Sequence, residues 1–340
     1  KTNDYLTLQI SNHSLTNVYF KTHILLIFII QKKNSLIYEP IMKYVVTGGA
    51  GFIGSNLVDH LIDKKNEVHI IDNFLSGKIQ NCHPGAVIHE IDISEEKNLD
   101  TIRDIFINTN AIFHCAAIAR VQPSIQNPIH YEKNNTIGLI NSLKAAVDSK
   151  AKRFIYSASS SAYGPTDKLP STETDPVNPL SPYAAQKYYG EIVCKMFSAI
   201  YNIETVCLRY FNVYGEKQNL GGAYATVIGI FLNQLQNNKP LTINGNGKQR
   251  RDFTYVGDVV KANILALTSE KVGKGEVINI GSGTNISINE VAKMIGDKYE
   301  FKKAVKEPFA NLASIEKAKK LLDWEPKMNL NSWIKKYKNE

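Results

Sequence analysis

The segment Val45-Val46-Thr47-Gly48-Gly49-Ala50-Gly51-Phe52-Ile53-Gly54 restricts the chain to few folds. A short apolar run that reads as a strand passes through glycines spaced three and three into an amphipathic stretch that reads as a helix. Gly48 permits a tight turn, Gly51 lets backbone approach a pyrophosphate, and Gly54 lets the helix pack closely. The first turn of the helix leaves backbone N–H groups free, and its dipole favours the phosphates of a dinucleotide. Glycines also mark ordinary turns, so the flanking strand and helix carry the reading. The second apolar run ends at Asp72, where a carboxylate accepts hydrogen bonds from ribose hydroxyls and repels a 2′-phosphate. This combination points to NAD rather than NADP. The plainer role for Asp72 is to cap a turn with Asn73.

From Lys43 onward, short apolar runs alternate with longer amphipathic stretches. Strands are expected at Tyr44–Thr47, Val68–Asp72, Val87–Asp92, Ala111–Cys115, Arg153–Ser157 and Thr205–Tyr210. Helices are expected at Gly54–Lys64, Pro128–Ser149 and Pro182–Ile200. The alternation predicts an α/β fold with a doubly wound, Rossmann-type parallel sheet, whose ligands sit at the carboxyl ends of the strands. Beyond Phe211 the alternation loosens around Gly221, Gly222, Gly245 and Gly247. Residues 42–210 are therefore expected to form an NAD-binding domain to which some later segments return. Residues 211–340 are expected to form mainly a smaller α/β substrate-binding domain.

The formal charge of +8 comes from lysines scattered along the chain, with no basic stripe interleaved with aromatics. A solvated surface accounts for it, and no nucleic-acid partner is expected. Cys82, Cys115, Cys194 and Cys207 stand far apart, without a CxxC pair. That spacing favours neither a zinc site nor a disulfide framework, so no metal is expected and a reducing cytoplasm is the simplest location. The first 41 residues differ in character. Their apolar run, Ile24–Ile30, falls short of the roughly 20 residues a membrane span needs. Gln31, Lys32 and Lys33 follow it, where a signal peptide would have small residues. Residues 1–41 are read as upstream sequence or a disordered extension, with Met42 as the natural start.

Two further motifs carry chemistry. In Ser181-Pro182-Tyr183-Ala184-Ala185-Gln186-Lys187, Pro182 suits a first helical turn and places Tyr183 and Lys187 on one face. An ammonium beside a phenol favours the phenolate and makes tyrosine usable as a base. Upstream, Phe154 to Gly164 leaves a strand and ends in hydroxyls at Ser159, Ser160 and Ser161. Each motif alone is common on solvated helices and in turns; in this order on one α/β domain they are specific.

Together these stretches resemble the extended short-chain dehydrogenase/reductase family, and within it the NAD-dependent sugar-nucleotide epimerases and dehydratases, most closely the UDP-glucose 4-epimerase-like members. The resemblance runs from Met42 to about Lys327. It rests on TGGAGFIGS at Thr47–Ser55, DNFLSGK at Asp72–Lys78, HCAA at His114–Ala117 and YSASSSAYG at Tyr156–Gly164. SPYAAQK at Ser181–Lys187, LRYFNVYG at Leu208–Gly215, QRRDFTYV at Gln249–Val256 and NIGSG at Asn279–Gly283 extend it.

The resemblance implies that Gly48, Gly51, Phe52, Ile53, Gly54, Asp72, Asn73 and Ala116 surround the cofactor. It also implies that Asp92 and Ile93 contact the adenine, that Arg120 and Asn135 lie along the cofactor, and that Tyr210 is near the nicotinamide. Tyr183 would be the base on the sugar's 4-hydroxyl, Ser159 would hydrogen-bond that hydroxyl, and Lys187 would bind the nicotinamide ribose while lowering the Tyr183 pKa. Asn212, Thr226, Val227 and Arg251 would line the nucleotide diphosphate. His114 and Cys115, at a buried strand end, are read as packing.

The implied reaction is oxidation of the sugar at carbon 4, rotation of the 4-keto sugar in the site, and return of hydride and proton to the other face. Related dehydratases carry acidic residues after the serine aligned with Ser159; Ser160, Ser161 and Ala162 stand there instead, which favours an epimerase. A 4,6-dehydratase or other extended family member, and a non-catalytic NAD-binding protein, are the alternatives. Two departures bear on the substrate. The expected RxGD-like motif is replaced by Lys303-Ala304-Val305-Lys306-Glu307-Pro308-Phe309, so that either Lys303 or Lys306 substitutes as a point charge or diphosphate binding is weakened. Asn244 stands where an aromatic often stacks on the base. A small residue near Asn311 implies room for an N-acetyl group. A homodimer formed through helices Pro128–Ser149 and Pro182–Ile200 is also implied.

Overall fold

Val45 and Val46 are wholly buried, as a strand covered on both faces requires. They belong to the first of seven parallel strands in the computed structural model, which describes residues 41–222, 225–305 and 307–339. Apart from residue 41, the expectation for residues 1–41 lies outside the described residues, as does that for Lys306. Residues Met42–Glu340 form one compact unit.

The strands are β1 (Lys43–Thr47), β2 (Glu67–Asp72), β3 (Val87–Glu90), β4 (Ala111–His114), β5 (Arg153–Ser159), β6 (Glu204–Tyr210), β7 (Val213–Tyr214), β8 (Leu241–Asn244), β9 (Arg250–Arg251), β10 (Thr254–Tyr255), β11 (Lys274–Ile280), β12 (Ile286–Ser287) and β13 (Tyr299–Lys302). The main sheet has the order β3-β2-β1-β4-β5-β6-β11, with every pairing parallel. The chain winds outward from β1 first to one side and then to the other. Its ligand crevice is therefore expected where β1 and β4 diverge.

Helices cover both faces. On one face lie α1 (Phe52–Asp63), α8 (Val256–Thr268) and α10 (Glu316–Leu322); on the other lie α2 (Leu99–Phe106), α5 (Gly138–Asp148) and α6 (Pro182–Tyr201). The short α3 (Val121–Gln126) and α4 (Pro128–Glu132) precede α5. A single helix is expected over Pro128–Ser149, but a π-helical turn at Lys133–Ile137 separates α4 from α5. Inside it Asn135 turns inward, its Oδ1 accepting from Ile118 N–H and its Nδ2 donating to the Ile118 carbonyl and to Gln186. Strands β3 and β4 stop short of Asp92 and Cys115, whereas β5 runs on to Ser159.

Helix α6 has the start that its sequence signals. Ser181 accepts from the Ala184 N–H and Pro182 follows in the first turn. Its inner face is fastened to the sheet by a buried ion pair, in which Arg209 Nε and Nη2 of β6 donate to the two Glu191 oxygens at 2.6 Å each. Arg209 also lies over the Tyr163 ring, at 4.7 Å from its centroid.

The remaining elements, α7 (Val227–Gln236), α9 (Ile288–Ile295), α11 (Leu330–Asn339) and the short strand pairs, gather around a separate apolar cluster containing Phe231, Leu241, Val291 and Trp333. Strand β11 leaves that region to close the sheet edge beside β6.

Removing one partner of the buried pair strands the other charge, a loss of about 3–5 kcal/mol. Arg209→Leu is expected to lower the urea midpoint accordingly, and an unchanged midpoint would show that Glu191 finds another partner.

Candidate active site

The glycine loop lies at the carboxyl end of β1. Gly48 has φ +70°, and a Cβ there would meet the Ala116 backbone nitrogen at 2.6 Å. A Cβ on Gly54 would stand 2.2 Å from the Gly48 carbonyl, so helix α1 comes closest to the loop's own backbone. Gly51 caps α1 without a side chain, so no side chain takes the first helical N–H groups of Phe52 and Ile53. A cradle that side chains would fill, at the start of a helix, fits a pyrophosphate.

Asp72 is 8% exposed at the end of β2. Its Oδ2 accepts from Ala50 N–H at 3.0 Å and its Oδ1 from Phe74 N–H at 2.9 Å. The carboxylate thus holds the glycine loop to the following turn, and burial raises its pKa against those two hydrogen bonds. Asn73 accepts from Leu75 N–H and hydrogen-bonds Asp92. Burial acts to raise the Asp92 pKa, yet hydrogen bonds from the Ser94 hydroxyl and backbone, then Asn73, hold it below the ordinary range. Ile93 beside it is buried against Gly138.

At the end of β5, Ser159 Oγ accepts from Ser161 N–H at 3.2 Å and from the Ser161 hydroxyl at 2.9 Å. It also hydrogen-bonds the Tyr183 phenol. Burial raises the phenol's pKa, while that hydrogen bond and the charge of Arg120 lower it. The sequence assigns the lowering to Lys187, one turn along α6. Lys187 Nζ instead donates to the Ser157 carbonyl at 2.7 Å and lies 4.9 Å from the Tyr156 ring centroid. Burial depresses its own pKa to about 8. The net effect on Tyr183 is opposite to the expected depression, because desolvation of a phenolate outweighs the stabilising groups in this structure.

His114 is wholly buried, with Nδ1 against the Thr47 hydroxyl at 3.0 Å. Burial and then the Lys187 charge depress its pKa to about 3, so it stays neutral. Tyr210, at the end of β6, is occupied with the Ser157 hydroxyl and the Asn263 amide. Asn135 is buried, and its amide is engaged by the Ile118 backbone and Gln186.

The residues named for a diphosphate belong to the later segments. Asn212, with φ +25°, donates to the Asp252 carbonyl and to Asn311 Oδ1. Thr226 caps α7, accepting from Gly229 N–H, and Val227 begins the helix. Arg251 is 8% exposed; its Nη1 donates to the Arg250 and Phe309 carbonyls, and its Nη2 pairs with Glu307 at 2.8 Å. Within the stretch replacing the RxGD-like motif, an acidic residue therefore reaches Arg251, whereas Lys303 is exposed. Two contributors escaped the sequence reading. Ser124 Oγ accepts from Tyr183 N–H at 3.2 Å, and buried Gln218 accepts from Thr226 while its Nε2 has no partner. Neither belongs to a spacing pattern, so only the fold brings them forward. Among the described residues no group of three or more His, Cys, Asp or Glu could hold a metal ion, and no helix is long and apolar enough to cross a membrane.

A glycine cradle at the first strand, a carboxylate at the second, and a serine, tyrosine and lysine gathered between the fifth strand and its helix define the short-chain dehydrogenase/reductase class. The sequence pattern of the NAD dependent epimerase/dehydratase family matches residues 44–281. The putative UDP-glucose 4-epimerase of Methanocaldococcus jannaschii is 39% identical over 303 residues, covering 87% of this chain and 97% of that protein. The solved UDP-glucose 4-epimerase of Thermotoga maritima with UDP-glucose is similar at a TM-score of 0.82 and 35% identity, covering 86% of this chain and 96% of that one. The UDP-N-acetylglucosamine 4-epimerase of Methanobrevibacter ruminantium, in complex with UDP-N-acetylmuramic acid, is similar at a TM-score of 0.79 and 34% identity, covering 88% and 99%. The chain belongs to the NAD dependent epimerase/dehydratase family.

Asp72→Ala removes both acceptors and leaves the Ala50 and Phe74 N–H groups unpaired. Hydrogen bonds to a charged group contribute about 1.5–3 kcal/mol each. Calorimetry is expected to show NAD affinity lowered at least tenfold, and unchanged affinity would count against this carboxylate's role.

Proposed function

We propose that this chain is an NAD-dependent nucleotide-sugar 4-epimerase that acts on UDP-glucose, UDP-galactose or their N-acetyl forms through a 4-keto intermediate. The observation that carries the reading is the environment of Tyr183. Its phenol hydrogen-bonds Ser159, and the residues that follow that serine, Ser160, Ser161 and Ala162, include no carboxylate of the kind elimination needs. Tyr183 removes the proton of the 4-hydroxyl, Ser159 holds that oxygen, and Lys187 binds the nicotinamide ribose. When bound, NAD supplies the hydride acceptor and returns the hydride within the same cycle.

Gly48, Gly51, Phe52, Ile53 and Gly54 cradle the pyrophosphate, and Asp72 takes the adenosine ribose with Asn73 beside it. Asp92 and Ile93 border the adenine. Ala116, Arg120, Asn135 and Tyr210 complete the cofactor's surroundings. Asn212, Thr226, Val227 and Arg251 face the diphosphate, which exchanges with Glu307 for the Arg251 fork. Asn311 is small and drawn aside, its Oδ1 accepting from Asp252 N–H and Asn212, which supports acceptance of N-acetylated sugars. Residues 42–210 with β11 carry the cofactor, and the rest of 211–340 frames the sugar nucleotide.

The protein is further proposed to be a cytoplasmic homodimer. Its four cysteines are free, which fits a reducing compartment. Ile129, Tyr189, Ile192, Met196 and Ile200 expose apolar surface along α4 and α6, as a pairing face would. Ile129→Glu is expected to yield monomers by sedimentation, and a dimer unchanged by that variant would place the interface elsewhere.

Incubated with UDP-glucose or UDP-N-acetylglucosamine and no added NAD, the protein is expected to form the 4-epimers, detected by NMR. Tyr183→Phe should lower kcat about 10²- to 10⁴-fold. Loss of water from the sugar, or full activity in Tyr183→Phe, would overturn the reading.

A further inference from the structure

The chain's own groups occupy most of the Arg251 guanidinium. Nη1 donates to the Arg250 carbonyl at 2.8 Å and to the Phe309 carbonyl at 3.2 Å. Nη2 pairs with Glu307 Oε2 at 2.8 Å. Backbone thus takes both Nη1 protons, and the edge left to a ligand includes Nη2, which Glu307 covers. Carboxylate and phosphate oxygens suit the same planar donors, so a diphosphate and Glu307 compete for this edge.

The two ends of the pair are held unequally. Arg251 is buried, its strand β9 pairs with β12, the Arg250 N–H donates to the Phe309 carbonyl at 2.8 Å, and the Asn311 N–H donates to the Arg250 carbonyl at 3.2 Å. Glu307 has no comparable anchor. Its side chain is 40% exposed, and its other oxygen accepts only from Gln249 Nε2, at 3.5 Å. It stands on the connection that leaves β13 after Lys302 and meets β9 at Phe309. A half-exposed carboxylate can leave its partner for water at small cost, whereas a buried guanidinium stripped of its anion is strongly penalised. The pair is therefore suited to opening from the Glu307 side as another anion arrives.

We propose that Glu307 is an internal competitor for Arg251: its carboxylate holds the guanidinium whenever the diphosphate of a sugar nucleotide does not, so substrate binds by displacing it and departs as it returns. This role rests on the epimerase reading, in which Arg251 faces the diphosphate, and it makes the exchange a determinant of substrate affinity. An uncompensated guanidinium would draw every diphosphate ligand strongly, product as much as substrate. Neutralised by Glu307, it offers each of them only the difference between two anions. Binding energy given up at a point remote from the sugar carbon raises KM without slowing the chemical step, and it eases release.

The test is calorimetric binding of UDP and of uridine to the NAD-bound protein, comparing the unaltered chain with Glu307→Ala and Glu307→Gln, and Glu307→Ala again in an Arg251→Gln background. Glu307→Ala is expected to tighten UDP binding about threefold to tenfold, the scale of an ion pair no longer broken on binding. Glu307→Gln, neutral but still able to accept from Nη2, should gain part of that. Uridine carries no phosphate, and its affinity should stay the same. Most of the gain should disappear with Arg251→Gln. UDP affinity unchanged in Glu307→Ala overturns the proposal, and so does a weaker complex, which would make Glu307 a prop that orients Arg251. A gain kept in full with Arg251→Gln also overturns it, since Glu307 would then act as a repelling charge rather than a competitor. If UDP binds no more tightly than uridine to the unaltered chain and to Glu307→Ala alike, the assignment of Arg251 to a diphosphate falls and this role falls with it. Binding is read without turnover, so failure to epimerise any UDP-sugar sinks the functional reading separately.

Discussion

Helix α6 packs against the sheet, and the polar groups buried on its inner face need partners in protein. Glu191 takes Arg209, Lys187 takes the Ser157 carbonyl, and the Cys194 carbonyl takes the Thr205 hydroxyl. Contact is so close at Gly190 that a Cβ there would stand 2.3 Å from the Tyr156 hydroxyl oxygen. These fastenings leave the helix one position along its length. Because Tyr183 lies in its first turn, the strand partners deep in the sheet set where its phenol stands. Buried pairs of this sort add little net stability, but they penalise every alternative register heavily.

The later segments are held to the same sheet by a second buried carboxylate. Asp252, wholly inaccessible, accepts from Ser282 through N–H and hydroxyl, from Gly283 N–H and from Ala313 N–H. Its own N–H donates to Asn311. Burial raises its pKa, and those donors work against the rise. One side chain thus joins the strand bearing Arg251, the loop leaving β11 and the segment before α10. Arg251 is thereby tied to the same sheet that carries β5 and β6.

Much of this was readable in the chain because the physics was local. Strands buried on both faces must be short apolar runs, and a loop that approaches its own helix at Gly54 must lack a side chain there. Ser181 and Pro182 announced the start of α6 for equally local reasons. What escaped depended on contacts across long separations. The break at Lys133–Ile137 is stabilised by Ile118 and Gln186, and no helical periodicity records that. Glu307 reaches Arg251 only after β8 and β13 pair. The expected lowering of the Tyr183 pKa by Lys187, read from helix spacing and the family resemblance, leaves out the β5 carbonyl that competes for the ammonium.

The arrangement of β11 carries a consequence for the chain during synthesis. β6 emerges with one side paired to β5 and the other open, and its neighbour arrives only after the segments of the second cluster have been made. Throughout that interval Val206 and Leu208, wholly covered in the finished protein, stand on a bare edge that invites pairing with any other chain. The nascent protein is thus most vulnerable to self-association between completion of β6 and arrival of β11, when six of the seven strands are made and one edge is open.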